Sequence, residues 1–413
     1  MKIAPSLVQP TSGAAPGTTT ATAVPTGVRS PQPGDPPSVR VAWMRAQIDI
    51  ALAGQGASLL TGDEKGFLAA GAAGNTAVRT KLTTRYRSLR ALQVKKWTAT
   101  VAASPEQAVG TGAAGEWTAR LSVRHCFVVP TCTEEDLRLE SRWTERAGKA
   151  YMIDLATTPD SQNGPRPWEL SDLRVAVGKR VVMATTAKYA SRLSSLLSEA
   201  EKAATVADRF SVATAPPDRY RVYFAGSTEW KAWFGGDRPD WAAGYAVPTS
   251  QQRIDVVLNA GETPSTFLDD ILRHEMTHVA ALRGAKHQGV ESWWLVEGLA
   301  EIAEMNGRPA TQHDAVAAGA VRSFIRSGKW NGKVAVAEPA DSAALKEAGA
   351  RYGIAFLAMR RLVDKYGERK VVSFFEAIVH DGDTPTAAAQ AVLGAQWTAV
   401  EADCVSYIRR TAG

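Results

Sequence analysis

The sequence predicts an α+β protein built as two folded units in series. Three observations carry this reading. The first part of the chain shows helical spacing of apolar residues and then switches to a two-residue period. The later part shows a few short strands and then a helical pattern that runs almost to the C-terminus. The length, 413 residues, exceeds what a single core usually serves.

Composition narrows the class before any motif is read. Hydrophobic residues make up 45% of the chain and charged residues 22%, the balance of a globular protein. No apolar run approaches the roughly 18–20 residues that span a bilayer. The net charge of +6 is spread among acidic neighbours, with no recognition helix or stacking-aromatic motif, so no nucleic-acid partner is expected. A mild positive balance suits a surface near anionic material, which keeps cell-surface association open.

Residues 1–37 read as a disordered tether. MKIAPSLVQP lacks the apolar stretch of a signal peptide. The thirty residues after it, rich in Thr, Ala, Pro and Gly, cannot bury a core. Such a tether often follows an anchor or leader. The expectation is an extracytoplasmic chain, secreted or membrane-tethered with its leader not visible here; the alternative is cytoplasmic. Of the three cysteines, Cys126 and Cys132 stand close together in HCFVVPTC. A local disulfide and two free thiols both remain open.

The first unit is read over 38–157. VAWMRAQIDIAL and NTAVRTKLTTRYRSLRALQV have helical apolar spacing, and TGDEKGFLAAG reads as a short helix between them, capped by Thr61 or Asp63. In WTARLSVRHCF the period becomes two, with Trp117, Ala119, Leu121, Val123 and Phe127 on one face. LRLESRW repeats the alternation with Leu137, Leu139 and Trp143 inward, and ERAGK supplies a turn into AYMIDLA. Helices followed by an antiparallel sheet with one wet face are the result. With its phrases LLTGDEKGFLAA and RYRSLRAL, this segment resembles the nuclear-transport-factor-like cone. The resemblance implies a cone-shaped α+β domain that binds a ligand or packs against a neighbour. His125 falls on the inward face and reads as a core histidine, since no acid–base partner is evident beside it.

TTPDSQNGPRPW marks a linker, set at 158–170. The second unit, 171–413, opens with LRVAVGKRVVMATT, a hairpin turning at Gly178-Lys179, and an amphipathic helix around 186–207. RYRVYFAG, AAGYAVP and QRIDVVLN read as strands, and from Thr263 onward the pattern is helical. A small mixed sheet, an active-site helix and a mostly helical lobe follow from this order.

HEMTH, residues 274–278, supplies the chemistry. Two histidines four apart on a helix share a face, so both rings can reach one metal ion. Glu275 beside them could take a proton from a water on that ion. The helix is expected to set Ile271, His274, His278 and Leu282 inward, with Asp269, Asp270, Arg273 and Thr277 on the other side. With eighteen residues between it and His278, Glu297 in WWLVEGLAE is offered as a third ligand on a second helix over 291–305. Glu301, one turn on, is on the same face and could hold a ligating histidine from behind.

HEMTH followed by WWLVEGLAE resembles the gluzincin metallopeptidases, whose pattern is H-E-x-x-H, a spacer, then W-L-x-E-G-x-A. Carried over residue by residue, the resemblance implies one Zn2+ per chain held by His274, His278 and Glu297. It makes Glu275 the general base and Glu301 the acid behind the ligands. It implies hydrolysis of a peptide or protein substrate, by an endopeptidase in the first instance. A tyrosine or histidine that stabilises the oxyanion is also implied. Tyr352, in ARYGIAFLAMRRLVDKYG, is the candidate, with His313 and Tyr245 behind it. His287 reads as a surface loop residue, and His380 as a helix end whose charge favours the dipole. No G-x-M-E-N segment is present, which argues against an aminopeptidase. AAGYAVP or QRIDVVLN is then the sheet edge to which an extended peptide could add. Two other readings stand beside this one: a catalytically silent zinc-binding scaffold of the cell envelope, and a ligand-binding cone-domain protein. The sequence leaves the oligomeric state unknown.

Overall fold

A computed structural model describes residues 28–108, 115–128, 130–212, 215–236, 238, 242–287, 289–309 and 315–412. Most of the proposed tether, residues 1–27, lies outside these. Residues 28–36 run without regular structure into the first helix, with Arg29 and Asp35 paired at 2.6 Å. The fold class is α+β. Among the described residues, no helix is long and apolar enough to cross a membrane.

The first unit begins with α1 (Pro37–Thr61), α2 (Glu64–Leu68) and α3 (Thr76–Ala91). Pro37 opens α1 at a position where a missing N–H costs nothing. Asp63 and Asn75 cap the next two helices through their side chains. The strands are β1 (Val94–Val101), β2 (Glu106–Gln107), β3 (Glu116–Phe127), β4 (Glu135–Arg146) and β5 (Lys149–Leu155). They form a curled antiparallel sheet in the order β1-β3-β4-β5, with β2 on β3. Along β4 every second residue from Glu135 to Trp143 is buried. The expected inward residues of β3 and β4 therefore fill the concave face. β1 was not legible as a strand, because VKKWTATV buries only its end residues and Ala99. The cavity inside, lined by Leu52, Phe67, Trp97 and Leu121 among others, is about 20 Å³, room for a water. Cys126 and Cys132 form a disulfide with their Cα atoms 5.7 Å apart. Cys404 is a buried free thiol.

The connection is short and folded. It contains α4 (Pro167–Leu170), and Glu169 is buried there. Glu169 accepts from Thr158 N, from Arg166 N at 2.8 Å and from Arg85 of α3 at 3.1 Å.

The second unit contributes β6 (Arg174–Val177), β7 (Val181–Thr185), α5 (Leu193–Ala207), β8 (Tyr220–Ala225), α6 (Ser227–Ala232), β9 (Gly244–Ser250) and β10 (Arg253–Asn259). Then come α7 (Leu268–Leu282), α8 (Trp293–Met305), α9 (Ala315–Arg326), α10 (Leu345–Tyr366), α11 (Glu368–Val379), α12 (Pro385–Ala388) and α13 (Trp397–Ala412). The sheet order is β6-β7-β8-β10-β9. β7, β8 and β10 run parallel, and the outer pairs are antiparallel. β9 is thus the edge, and β10 lies inside.

Strand alternation divides the sheet between two cores. Val181, Met183, Val222, Phe224, Val256 and Leu258 face α5, α7 and the helical lobe. Val182, Ala184, Tyr223, Tyr245, Val247 and Val257 face the first unit and share its core. A strand such as β8, buried at every residue, needs a cover on both sides. The first unit is that second cover. Charge is sealed in the same seam. Arg221 reaches Asp255 at 2.6 Å and Glu135 of β4 at 2.8 Å, and all three are buried.

Candidate metal centre

The site is assembled by two helices, one strand edge and a third helix behind them. On α7, His274 and His278 stand one turn apart, with ring centroids 4.9 Å from each other. On α8, Glu297 lies directly across. Its Oε2 is 3.2 Å from His274 Nε2 and 3.4 Å from His278 Nε2. All three side chains are buried, Glu297 completely.

α7 is not the one-faced helix that its pattern suggested. Arg273 and Thr277, expected on an outer side, are buried along with every residue from Leu272 to Leu282. The reason is tertiary: α5, α8 and β9 all pack against α7, and Arg273 is neutralised by Asp269 and Asp270. The C-terminal end of α7 is held by His380, whose Nε2 donates to Ala281 O at 2.7 Å. His380 stands at the C-cap of α11, the helix end expected of it, and through this hydrogen bond it also ties α11 to α7.

The electrostatics of the cluster follow from burial and proximity. Burial drags on the charged form of His274, but its hydrogen bonds to Glu297 and Glu304 win and hold it well above the ordinary histidine range. For His278 burial wins over the attraction of Glu297, and its pKa falls. Burial disfavours ionised Glu297 too, yet the two histidines bring it to about 2. Glu275 is pushed up to about 8, first by burial and then against the attraction of His274, with Glu297 adding repulsion.

Does a zinc ion suit these residues? Two neutral nitrogens and one carboxylate are a donor set of open catalytic zinc sites. Tetrahedral ligands at roughly 2.0–2.1 Å from an ion stand about 3.3 Å apart. The two edges that meet at Glu297, 3.2 and 3.4 Å, match that spacing. Buried polar atoms are also left over. His278 Nε2, Glu297 Oε1 and both carboxylate oxygens of Glu275 are enclosed without a hydrogen-bond partner. Leaving such groups unpaired is costly, and a cation in their midst offsets that cost. The residues fit the ion.

Behind His274 the structure differs from the expectation. The carboxylate that meets Nδ1 is Glu304, at 3.0 Å, while Glu301 stands 3.9 Å away. Both lie on the Glu297 face of α8, at seven and four residues' distance, so the helical period admits either. Only the placement of α7 against α8 chooses between them. Both carboxylates line the cleft beside the ligands.

That cleft has a volume of about 170 Å³ and is bordered by Ala242, Gly244, Ile271, Glu275, Glu301 and Tyr352. Gly244 is a residue that the motif search missed. A Cβ there would lie 2.5 Å from Glu275 Oε1, so glycine lets the strand edge approach the carboxylate. Tyr352 reaches the cleft from α10. Its ring is 6.5 Å from that of His274 and packs edge-on against Trp293 at 5.1 Å. Burial, followed by the charges of Glu297, Glu301 and Glu275, keeps its phenol protonated well past the ordinary range. α10 can come this close because Gly298 of α8 faces it; a Cβ there would sit 2.7 Å from Ala355 O.

The weaker candidates fall elsewhere. Tyr245 points to the opposite face of β9, against Trp230 and under Arg238. His313 lies outside the described residues. His287 is exposed, as its loop position suggested. His125 is buried among Trp97, Phe127 and Trp168, far from this site in the fold. A comparison with protein-family models finds no match, and a comparison with curated proteins finds none either.

Proposed function

We propose that this chain is a zinc-dependent peptidase of the gluzincin kind, acting as an endopeptidase. One observation carries the reading. Three ligand atoms, of His274, His278 and Glu297, converge, and His274 together with the buried, partnerless carboxylate of Glu275 lines a cleft along the edge strand β9. His274, His278 and Glu297 would hold the ion. When bound, it supplies Lewis acidity to the water and to the scissile carbonyl.

The rest is done by the chain. Glu275 accepts the proton of the attacking water on a carboxylate oxygen and later returns it to the leaving amine. Tyr352 donates its hydroxyl to the carbonyl oxygen as negative charge gathers there. Glu304 accepts from His274 Nδ1–H, which fixes the tautomer and leaves Nε2 free to ligate. The edge of β9 receives the substrate as an added strand and holds its carbonyl near Glu275. The Cys126–Cys132 disulfide supports work in an oxidising, extracytoplasmic compartment. A ligand-binding role for the first unit finds little support in a cavity of about 20 Å³.

Metal analysis and one variant test the proposal. Chain purified without chelator or added metal should carry about one zinc, and it should cleave internal bonds of blocked peptides. Glu275→Gln should keep the metal and lose hydrolysis by about 10²–10⁴-fold. A chain that takes up no zinc, or a Gln variant that cleaves as before, overturns it.

A further inference from the structure

The edge of β9 is short, and its end is closed by residues that precede the sheet in sequence. Asn259 N donates to Ala243 O at 2.8 Å, and Gly244 lies opposite Leu258. In an antiparallel ladder this parity turns the polar backbone groups of 243, 245 and 247 toward β10. Those of Gly244, Ala246 and Pro248 then face outward, where a peptide would pair. Among the described residues, no backbone hydrogen bond outside the ladder reaches Gly244 or Ala246.

At Pro248 the edge ends. Proline offers no N–H. Its carbonyl is taken by Asn163 Nδ2 at 2.8 Å. The next carbonyl, Thr249 O, accepts from Arg166 at 3.3 Å, and Thr249 Oγ1 donates to Glu135 of β4 at 2.9 Å. The first unit and its connecting segment thus occupy the edge beyond the position where Gly244 meets Glu275.

We infer that the first unit and the 158–170 connection form an end stop on the substrate edge. The substrates are then peptides with at most about four residues on one side of the scissile bond, the span from Gly244 to Pro248. The stop concerns that side alone. This inference rests on the peptidase reading, and it names the class of substrate that the site would accept.

The test is a ladder of blocked peptides around one cleavable bond, lengthened residue by residue on either side, with kcat/KM read by mass spectrometry. On the side that runs toward Pro248, kcat/KM should fall by about tenfold or more between four and eight residues. A double variant, Asn163→Gly with Pro248→Ala, removes the amide and restores the N–H. Asn163 has φ 51°, so glycine suits its backbone. The variant should narrow the same drop to about threefold or less. Equal cleavage of long and short peptides on both sides overturns the stop and leaves the peptidase intact. A double variant with an unchanged drop also overturns it. A zinc-loaded chain that cleaves no peptide of any length removes both readings together.

Discussion

Gly244 and Glu304 show what a residue-level pattern can and cannot reach. The i, i+4 histidines and Glu297 are readable because local helix geometry and a following motif define them. Gly244 belongs to a different strand and matters only because β9 passes over Glu275, a contact that no local spacing encodes. Glu304 shares its helical face with Glu301, so the sequence allows both and the packing picks one. Gly244→Ala should displace Glu275 and lower kcat/KM on the order of a hundredfold, with zinc content unchanged. An alanine variant of full activity would show that the close approach is incidental. Glu304→Ala should weaken zinc about 10- to 100-fold in chelator competition, and Glu301→Ala far less. The reverse order would return the supporting role to Glu301.

Elements are more legible than their neighbours. The two-residue period of β3 and β4 and the helical run after Thr263 follow directly from apolar spacing. The polar residues Asp269, Arg273 and Thr277 make α7 look one-faced in the sequence. In the fold their polarity is satisfied within the helix and by α8: Arg273 donates to Glu304 O and Thr277 to Arg273 O. Polar residues at an interface therefore mimicked a wet face. The contact between α8 and α10 is set by a single glycine. Gly298→Ala would push a methyl into Ala355 O, and we expect a loss of about 1–3 kcal/mol in urea denaturation. Turnover should fall with it, because Tyr352 lies less than a turn before Ala355 on α10. Unchanged stability would mean that the helices have slack between them.

At the scale of the whole molecule, the two units share one seam, and the seam carries ionisable groups. His125 is held down to about 4, chiefly by burial, with Glu135 pulling up and Arg221 and Arg166 pulling down. Its folded pKa lies below the ordinary 6.5, so the unfolded chain binds the extra proton across that window. Stability is full above pH 6.5 and is lost as the pH falls toward 4, by about 3 kcal/mol in all. Glu135, near 2 despite burial because Arg221 stabilises its charge, extends the loss to lower pH. His125→Phe should flatten the slope between about pH 7 and pH 5 in urea midpoints. A slope as steep as the parent's would place the titrating group elsewhere. The sequence could not announce this seam: Glu135, Arg221 and Asp255 lie on three strands of two sheets, and only docking brings them together.

The shared seam also bears on how the chain matures. The first unit leaves the ribosome before the strands that it will cover. When β7, β8 and β10 emerge, a finished apolar wall and a waiting carboxylate at Glu135 are there to receive them. The first unit is then a scaffold for folding, carried in the same polypeptide. Residues 158–413 refolded alone should aggregate, and adding residues 28–157 as a separate chain should restore soluble, zinc-binding protein.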